Sequence, residues 1–194
     1  QLARPLLLRK LSRRGQAEPL YLHAVHQRFA RYTDQERQQA QTHAGQWVWL
    51  HAVSLGETRA ADILLQALRA VQPGMRLLLT HGTATGRQAG QKLLREGDMQ
   101  VWLPWDERGA VQRFVQTFRP RLGLIMETEI WPNLMHGCRE AGVPLFLANA
   151  RLSEKSQQGY LKIRPLVAPA LAGLRGCYAQ TAADAERLHF IGAS

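Results

Sequence analysis

The sequence predicts a doubly wound α/β domain: a parallel, Rossmann-like sheet with helices on both faces. Three observations carry this prediction. Short apolar runs recur along the chain: WVWLHAV (47–53), RLLLT (76–80), VWLP (101–104), LGLIM (122–126), PLFLAN (144–149) and GCYAQ (176–180). Near-continuous apolar runs of this length are what parallel strands covered on both faces look like. A segment of helical period separates most neighbouring runs, as βα units require. At 194 residues, 45% hydrophobic and 21% charged, the chain can build one sizeable core.

The elements follow in order. After the first strand, a helix is expected from Glu57 to Val71 with Ile63, Leu64, Ala67, Leu68 and Val71 at helical spacing, ended by Pro73 and Gly74. A second helix runs from about Arg87 to Arg95. Asp106 is positioned to cap a third that ends at Phe118, before Pro120. Trp131 to Ala141 forms a fourth, with Pro132 in its first turn and Gly142 as its stop. The last begins at Thr181 or Ala182 and ends at Phe190, before Gly192. Residues 46–194 thus read as one domain, preceded by a basic N-terminal segment, residues 1–45.

The formal net charge is +10, from 25 Lys+Arg against 15 Asp+Glu, and half of it lies in residues 1–40, which hold 8 basic and 3 acidic side chains. Such a field favours an anionic partner: nucleic acid, an acidic membrane surface or a phosphorylated substrate. The start, QLARPLLLRKLSRRG, places its basic residues after the apolar run, the reverse of a cleavable signal peptide. It reads either as the stub of an amphipathic anchor or as an ordinary basic helix end. No run approaches the roughly 20 apolar residues of a membrane span. Cys138 and Cys177 show no CxxC or Cys/His spacing, and the seven His residues form no HExxH or HxH pattern, so neither a disulfide framework nor a metal site is expected. No cofactor is expected either.

In doubly wound sheets ligands bind beyond the carboxyl ends of the strands, so the strand-to-helix connections carry the chemistry. In SLGE, Ser54 and Gly56 form the turn and Glu57 enters the first helical turn. There it is either a helix-start acid favoured by the macrodipole or an ionised general base. HGTATG (81–86), with Thr83 and Thr85, is either an anion cradle or a plain connection; it is neither GxGxxG nor Walker A. METEIWPN (126–133) spaces Glu127 and Glu129 by two, which in extended backbone sends both carboxylates to one side, each raising the other's pKa unless a donor or cation compensates. NARLSE (149–154) offers Asn149 or Ser153 as a helix cap. Its Arg151 can hold a phosphate or, the preferred reading, pair with one of these glutamates.

Taken in order, HAVSLGETRAA, LLLTHGTATG, VWLPWDERGAVQRF, RPRLGLIMETEIWPNL, GVPLFLANARLSEKSQQGY and AQTAADAERLHFIGA resemble the Kdo (3-deoxy-D-manno-octulosonic acid) transferases of lipopolysaccharide synthesis. The resemblance runs from about residue 47 to the end. HGTATG departs from the family's usual TPTG ending, with Ala84 in place of Pro. The resemblance implies the N-terminal, acceptor-binding half of a GT-B glycosyltransferase, with a C-terminal donor-binding half outside this chain and no activity without it. It implies transfer of Kdo from CMP-Kdo to a lipid A precursor at the cytoplasmic side of the inner membrane, without a bound metal. By match of position it makes Glu57 the catalytic carboxylate and Glu127 a second active-site glutamate. Ser54, Gly56, Thr83, Thr85, Glu129, Asn149 and Arg151 become acceptor-site residues. Two rivals stand beside this: a basic nucleic-acid-binding α/β module, which lacks a helix-turn-helix, zinc-finger or RRM signature, and a nucleotide-dependent oxidoreductase, which lacks GxGxxG. No nucleic-acid partner is expected.

Overall fold

The computed structural model describes residues 4–193. Six strands form one parallel sheet: β1 (Trp47–His51), β2 (Arg76–His81), β3 (Met99–Trp102), β4 (Leu122–Met126), β5 (Leu145–Ala150) and β6 (Gly176–Ala179). Their order is β3-β2-β1-β4-β5-β6, the doubly wound, Rossmann-like arrangement that the apolar runs predicted. All five residues of β1 are buried, as a central strand covered on both faces must be.

Alternation along the strands sorts the core into two layers. Val48 and Leu50 face Ala61 and Leu65 of α3 (Leu55–Val71), beside which α4 (Ala84–Gln91) packs. Trp47 and Trp49 face the other way, toward α5 (Arg108–Phe118), α6 (Pro132–Glu140), α8 (Arg164–Leu171) and α9 (Ala182–Ile191). In α5, residues Ala110, Val111, Phe114, Val115 and Phe118 make the buried stripe, and Phe114 meets Trp49 edge-on at 5.0 Å, a contact worth about 0.5–1.5 kcal/mol beyond its buried area. The indoles of these two strand residues are satisfied, Trp47 Nε1 donating to Ala40 O (2.9 Å) and Trp49 Nε1 to Thr80 Oγ1 (2.8 Å).

Several expectations need correction. The inward face of α3 is Glu57, Thr58, Ala61 and Leu65, while Ile63 is 75% and Val71 88% exposed. Leu64 and Leu68 of the expected set do pack against this core, partly buried, so spacing found part of the inward face and missed its centre. Helix α4 starts earlier than expected because Thr83 caps it, its Oγ1 accepting from Gly86 N (3.2 Å). Asp106 does not cap α5. It caps α6, accepting from Leu134 N (2.7 Å) and Asn133 N (3.1 Å) across the sheet edge. Helices α7 (Glu154–Lys162, capped by Ser153) and α8 fill the stretch between β5 and β6.

Before β1 the chain forms α1 (Arg4–Ala17), short 3-10 turns at Pro19–Leu22 and Val25–Phe29, and α2 (Asp34–Thr42). Thr33 and Glu36 close a reciprocal capping box on α2. Ala30, Tyr32 and Ala40 enter the main core, and Gln27 Oε1 accepts from Trp102 N (2.9 Å). Among the described residues, no helix is long and apolar enough to cross a membrane.

Candidate active site

From β1 the chain winds outward to β3; from β4 it winds outward to β6. The winding reverses between β1 and β4, and at such a switch point the connections diverge and leave a crevice beyond the strand ends. Glu57 follows β1, and Glu127 and Glu129 follow β4. Three carboxylates are therefore carried to the crevice by the two central strands.

Glu57 is held tightly. Ser54 is the N-cap of α3, and its Oγ accepts from Glu57 N (3.4 Å). The Glu57 carboxylate reaches back, Oε2 accepting from Val53 N (2.7 Å) and Oε1 from Ser54 Oγ (2.9 Å). This is a variant of the capping box in which the acid at its usual third position accepts from the amide of Val53, the residue before the cap, and from the cap hydroxyl. Glu57 is only 7% exposed, and burial raises its pKa; the Val53 and Ser54 donors oppose that rise, and the charge of Glu127 adds to it. Each carboxylate oxygen retains a second lone pair able to accept a proton.

After β4 the backbone does not stay extended. Glu127 has φ +57°, so the two-residue alternation that would align Glu127 with Glu129 is broken. Arg151 pairs with Glu127, its Nε at 3.1 Å from Oε2, and Thr128 Oγ1 ties the two loops by donating to Arg151 O (2.5 Å). Among the described residues Glu129 has no such cation. Burial and then the charge of Glu57 push its pKa up to about 7, with Glu127 adding to the effect. Trp131, whose indole nitrogen is buried without hydrogen-bond geometry to any described group, tempers the rise by its nearness. Burial, and secondarily Glu129, raise the Tyr160 hydroxyl of α7, which places a tyrosine beside the carboxylates.

The other sequence-predicted residues divide into staples and rim. Thr83 Oγ1 donates to Val53 O (2.8 Å) and so fixes the β2–α4 connection to the Glu57 loop. Gly86 permits this approach: a Cβ there would lie 2.9 Å from Val53 O. At Gly56, by contrast, a Cβ would meet nothing nearer than Ser54 Oγ at 3.9 Å, so packing leaves the N-terminus of α3 open. Thr85 and Asn149 are exposed on the rim; Asn149 has φ +57°, and its carbonyl accepts from Gln180 Nε2 (3.1 Å). Neither forms a hydrogen bond to the three glutamates. Sequence reasoning passed over Tyr160, for which no local signal exists, and His51, which the HAVSLGE motif contains. Among the described residues no cluster of His, Cys, Asp and Glu could hold a metal ion.

Comparison with known proteins agrees with this architecture. Residues 23–194 match the family described as 3-deoxy-D-manno-octulosonic-acid transferase (kdotransferase). The doubly wound sheet is accordingly the Rossmann-like, N-terminal type of half found in GT-B glycosyltransferases. The chain belongs to the 3-deoxy-D-manno-octulosonic-acid transferase family. It is 49% identical over 154 residues to the 3-deoxy-D-manno-octulosonic acid transferase of Bordetella pertussis, covering 76% of this chain and 35% of that protein. It is 31% identical over 163 residues to the Haemophilus influenzae transferase, covering 84% and 37%. A probable mitochondrial transferase of Arabidopsis thaliana is 36% identical over 112 residues, 58% of this chain and 25% of that one. The chain spans about a third of the length of the bacterial relatives.

Proposed function

We propose that this chain is the acceptor-binding half of an inverting Kdo transferase, with Glu57 as the general base. The observation that carries the proposal is the delivery of Glu57 and the Glu127/Glu129 pair to one switch-point crevice by the central strands β1 and β4. The acceptor hydroxyl gives its proton to the Glu57 carboxylate as its oxygen attacks the anomeric carbon of Kdo. The bond from that carbon to the phosphate oxygen breaks, and CMP leaves with the electron pair. Val53 N–H and Ser54 O–H aim the base, a positioning worth as much as its basicity. The Glu127–Arg151 pair keeps a fixed dipole at the opposite wall.

The relatives are named as transferases of this sugar, and their greater length supports a donor half that binds CMP-Kdo and lies outside these residues. The acceptor in this reading is the lipid A precursor, whose phosphates suit the net charge of +10. The outward face of α1 supports residence at the cytoplasmic surface of the inner membrane: Leu6, 69% exposed, lies there among Arg9, Lys10 and Arg13. The test uses the complete protein with both halves. CMP release from CMP-Kdo must depend on added lipid A precursor; release without acceptor, or none with it, sinks the reading. Tight, salt-sensitive binding of duplex DNA would favour the nucleic-acid rival instead.

A further inference from the structure

A polar cavity of about 680 Å³ lies beside the edge strand β3, and its size is that of small-ligand sites. Strand β2 separates β3 from the strand that carries Glu57, and the cavity shares no lining residue with the glutamate crevice. Arg87 and Gln91 come to it from α4, Gln100 from β3, Gln27 from the second 3-10 turn, and Glu36 and Gln39 from α2.

Arg87 is 6% exposed. Its guanidinium carbon lies 4.8 Å from the Trp102 ring centroid, and Nη1 makes a long bond to Gln27 Oε1 (3.3 Å), an oxygen that already accepts from Trp102 N (2.9 Å). Its Nε is buried without a hydrogen bond, and among the described residues no carboxylate forms an ion pair with it. The fold treats another buried cation differently, since Arg69 is paired with Asp98. Burial lowers the Arg87 pKa to about 10, a fall that the charge of Glu36 opposes, so the group remains a cation at neutral pH. A buried cation without a counter-ion is costly.

Glu36 does not fill that role, because its carboxylate accepts from Thr33 N (2.7 Å), Gln27 Nε2 (2.5 Å) and His26 Nε2 (3.3 Å). Burial by itself would raise its pKa, but these donors hold it below the ordinary range, and the ionised group keeps lone pairs for further donors. Two glutamines are left in the same condition. Gln100 Nε2 is spent on Arg87 O (2.8 Å) and Gln39 Nε2 on Asp98 O (3.4 Å), so each offers the cavity its carbonyl oxygen. The lining therefore wants one anion, at Arg87, and several hydroxyl donors around it.

We propose that this cavity binds a small polyhydroxylated anion, a monosaccharide carrying one carboxylate or phosphate. The charged group meets Arg87, and the ring hydroxyls donate to Gln39, Gln100 and Glu36.

The test is an NMR titration of this chain, followed at backbone and side-chain amides, with glucuronate, glucose 6-phosphate, glucose and inorganic phosphate. At least one of the two sugar anions is expected to bind about tenfold tighter than glucose or inorganic phosphate, because the charge-assisted bond and the hydroxyl bonds act together. The largest shifts should fall on the side-chain amides of Gln27, Gln91 and Gln100, and the tighter of the two anions names the charged group. Arg87→Gln should reduce binding of that sugar to the level of glucose. Gln91→Glu, at an exposed position where folding is safe, should weaken it several-fold and leave glucose unchanged. Inorganic phosphate binding as tightly as the sugar anions, no saturable binding of either, or indifference to both substitutions overturns the proposal. Shifts centred on Ser54 and Glu57 would put the sugar in the transferase crevice and overturn it equally. The titration needs neither CMP-Kdo nor acceptor, so failure of the transferase reading leaves its result standing.

Discussion

Replacing Glu129 with Gln should stabilise the fold at pH 8 and leave it nearly unchanged at pH 4. The Glu129 pKa is about 7 in the folded chain against an ordinary 4.5, first because of burial and then because of Glu57. Linkage converts a difference of that size into roughly 3 kcal/mol, and solvent screening at this partly exposed position reduces it to about 1–2 kcal/mol. The sign follows from which form the fold disfavours. Below pH 4.5 the group is protonated in both folded and unfolded chains, and no penalty exists. As pH rises through about 7 the folded chain must ionise it against burial and a neighbouring carboxylate, and that stability is lost. Gln carries no such charge. Urea unfolding of both chains between pH 4 and 8 should therefore show a gap that opens with pH and reaches about 1–2 kcal/mol. A gap independent of pH, or one complete by pH 5, would refute the crowding of carboxylates at the switch point.

Three further outcomes follow from the same geometry. Arg151→Met removes the cation from Glu127; because the ion pair is largely exposed, the fold should lose under about 1 kcal/mol, while the Glu129 midpoint, read by carboxyl-carbon NMR, moves further up. Gly86→Ala drives a Cβ to 2.9 Å from Val53 O, and should cost about 1–3 kcal/mol in denaturant unfolding; a neutral result would mean the two loops are not in contact. Asp106→Asn weakens the acceptor for the Asn133 and Leu134 amides, with a loss of about 1 kcal/mol expected at pH 7. Burial raises the Asp106 pKa, so ionisation costs the folded chain some stability, and the loss on substitution should be larger at pH 3 than at pH 7.

The strands were legible because burial on both faces demands continuous apolar runs, and β1 is buried from Trp47 to His51 as its sequence implied. Local caps were partly legible: Ser153 and Thr181 do begin helices. What failed was nonlocal. Asp106 satisfies amides 27 and 28 residues away, and no local rule could choose α6 over α5. The left-handed turn at Glu127 depends on the tie between Thr128 and Arg151 across two loops. The polar stretch before β1 concealed Tyr32 and Ala40, whose burial is set by the sheet they cover. Strand order, which brings Glu57 and Glu127 to one crevice, is likewise a property of the whole fold. The motifs lie in the loops that follow β1, β2, β4 and β5; which of their residues stand together came from topology.

The most direct test of the central claim is the acceptor-dependent turnover of Glu57→Gln in the complete protein. The amide keeps the shape of the side chain and can still accept one of the two bonds from Val53 and Ser54, so unfolding should stay within about 1–2 kcal/mol of wild type. The account predicts a fall in turnover of at least about a hundredfold, the usual contribution of a positioned general base. Near-normal turnover by the folded variant would contradict it, leaving Glu57 as the capping partner of Ser54 and Glu127 as the carboxylate to examine next.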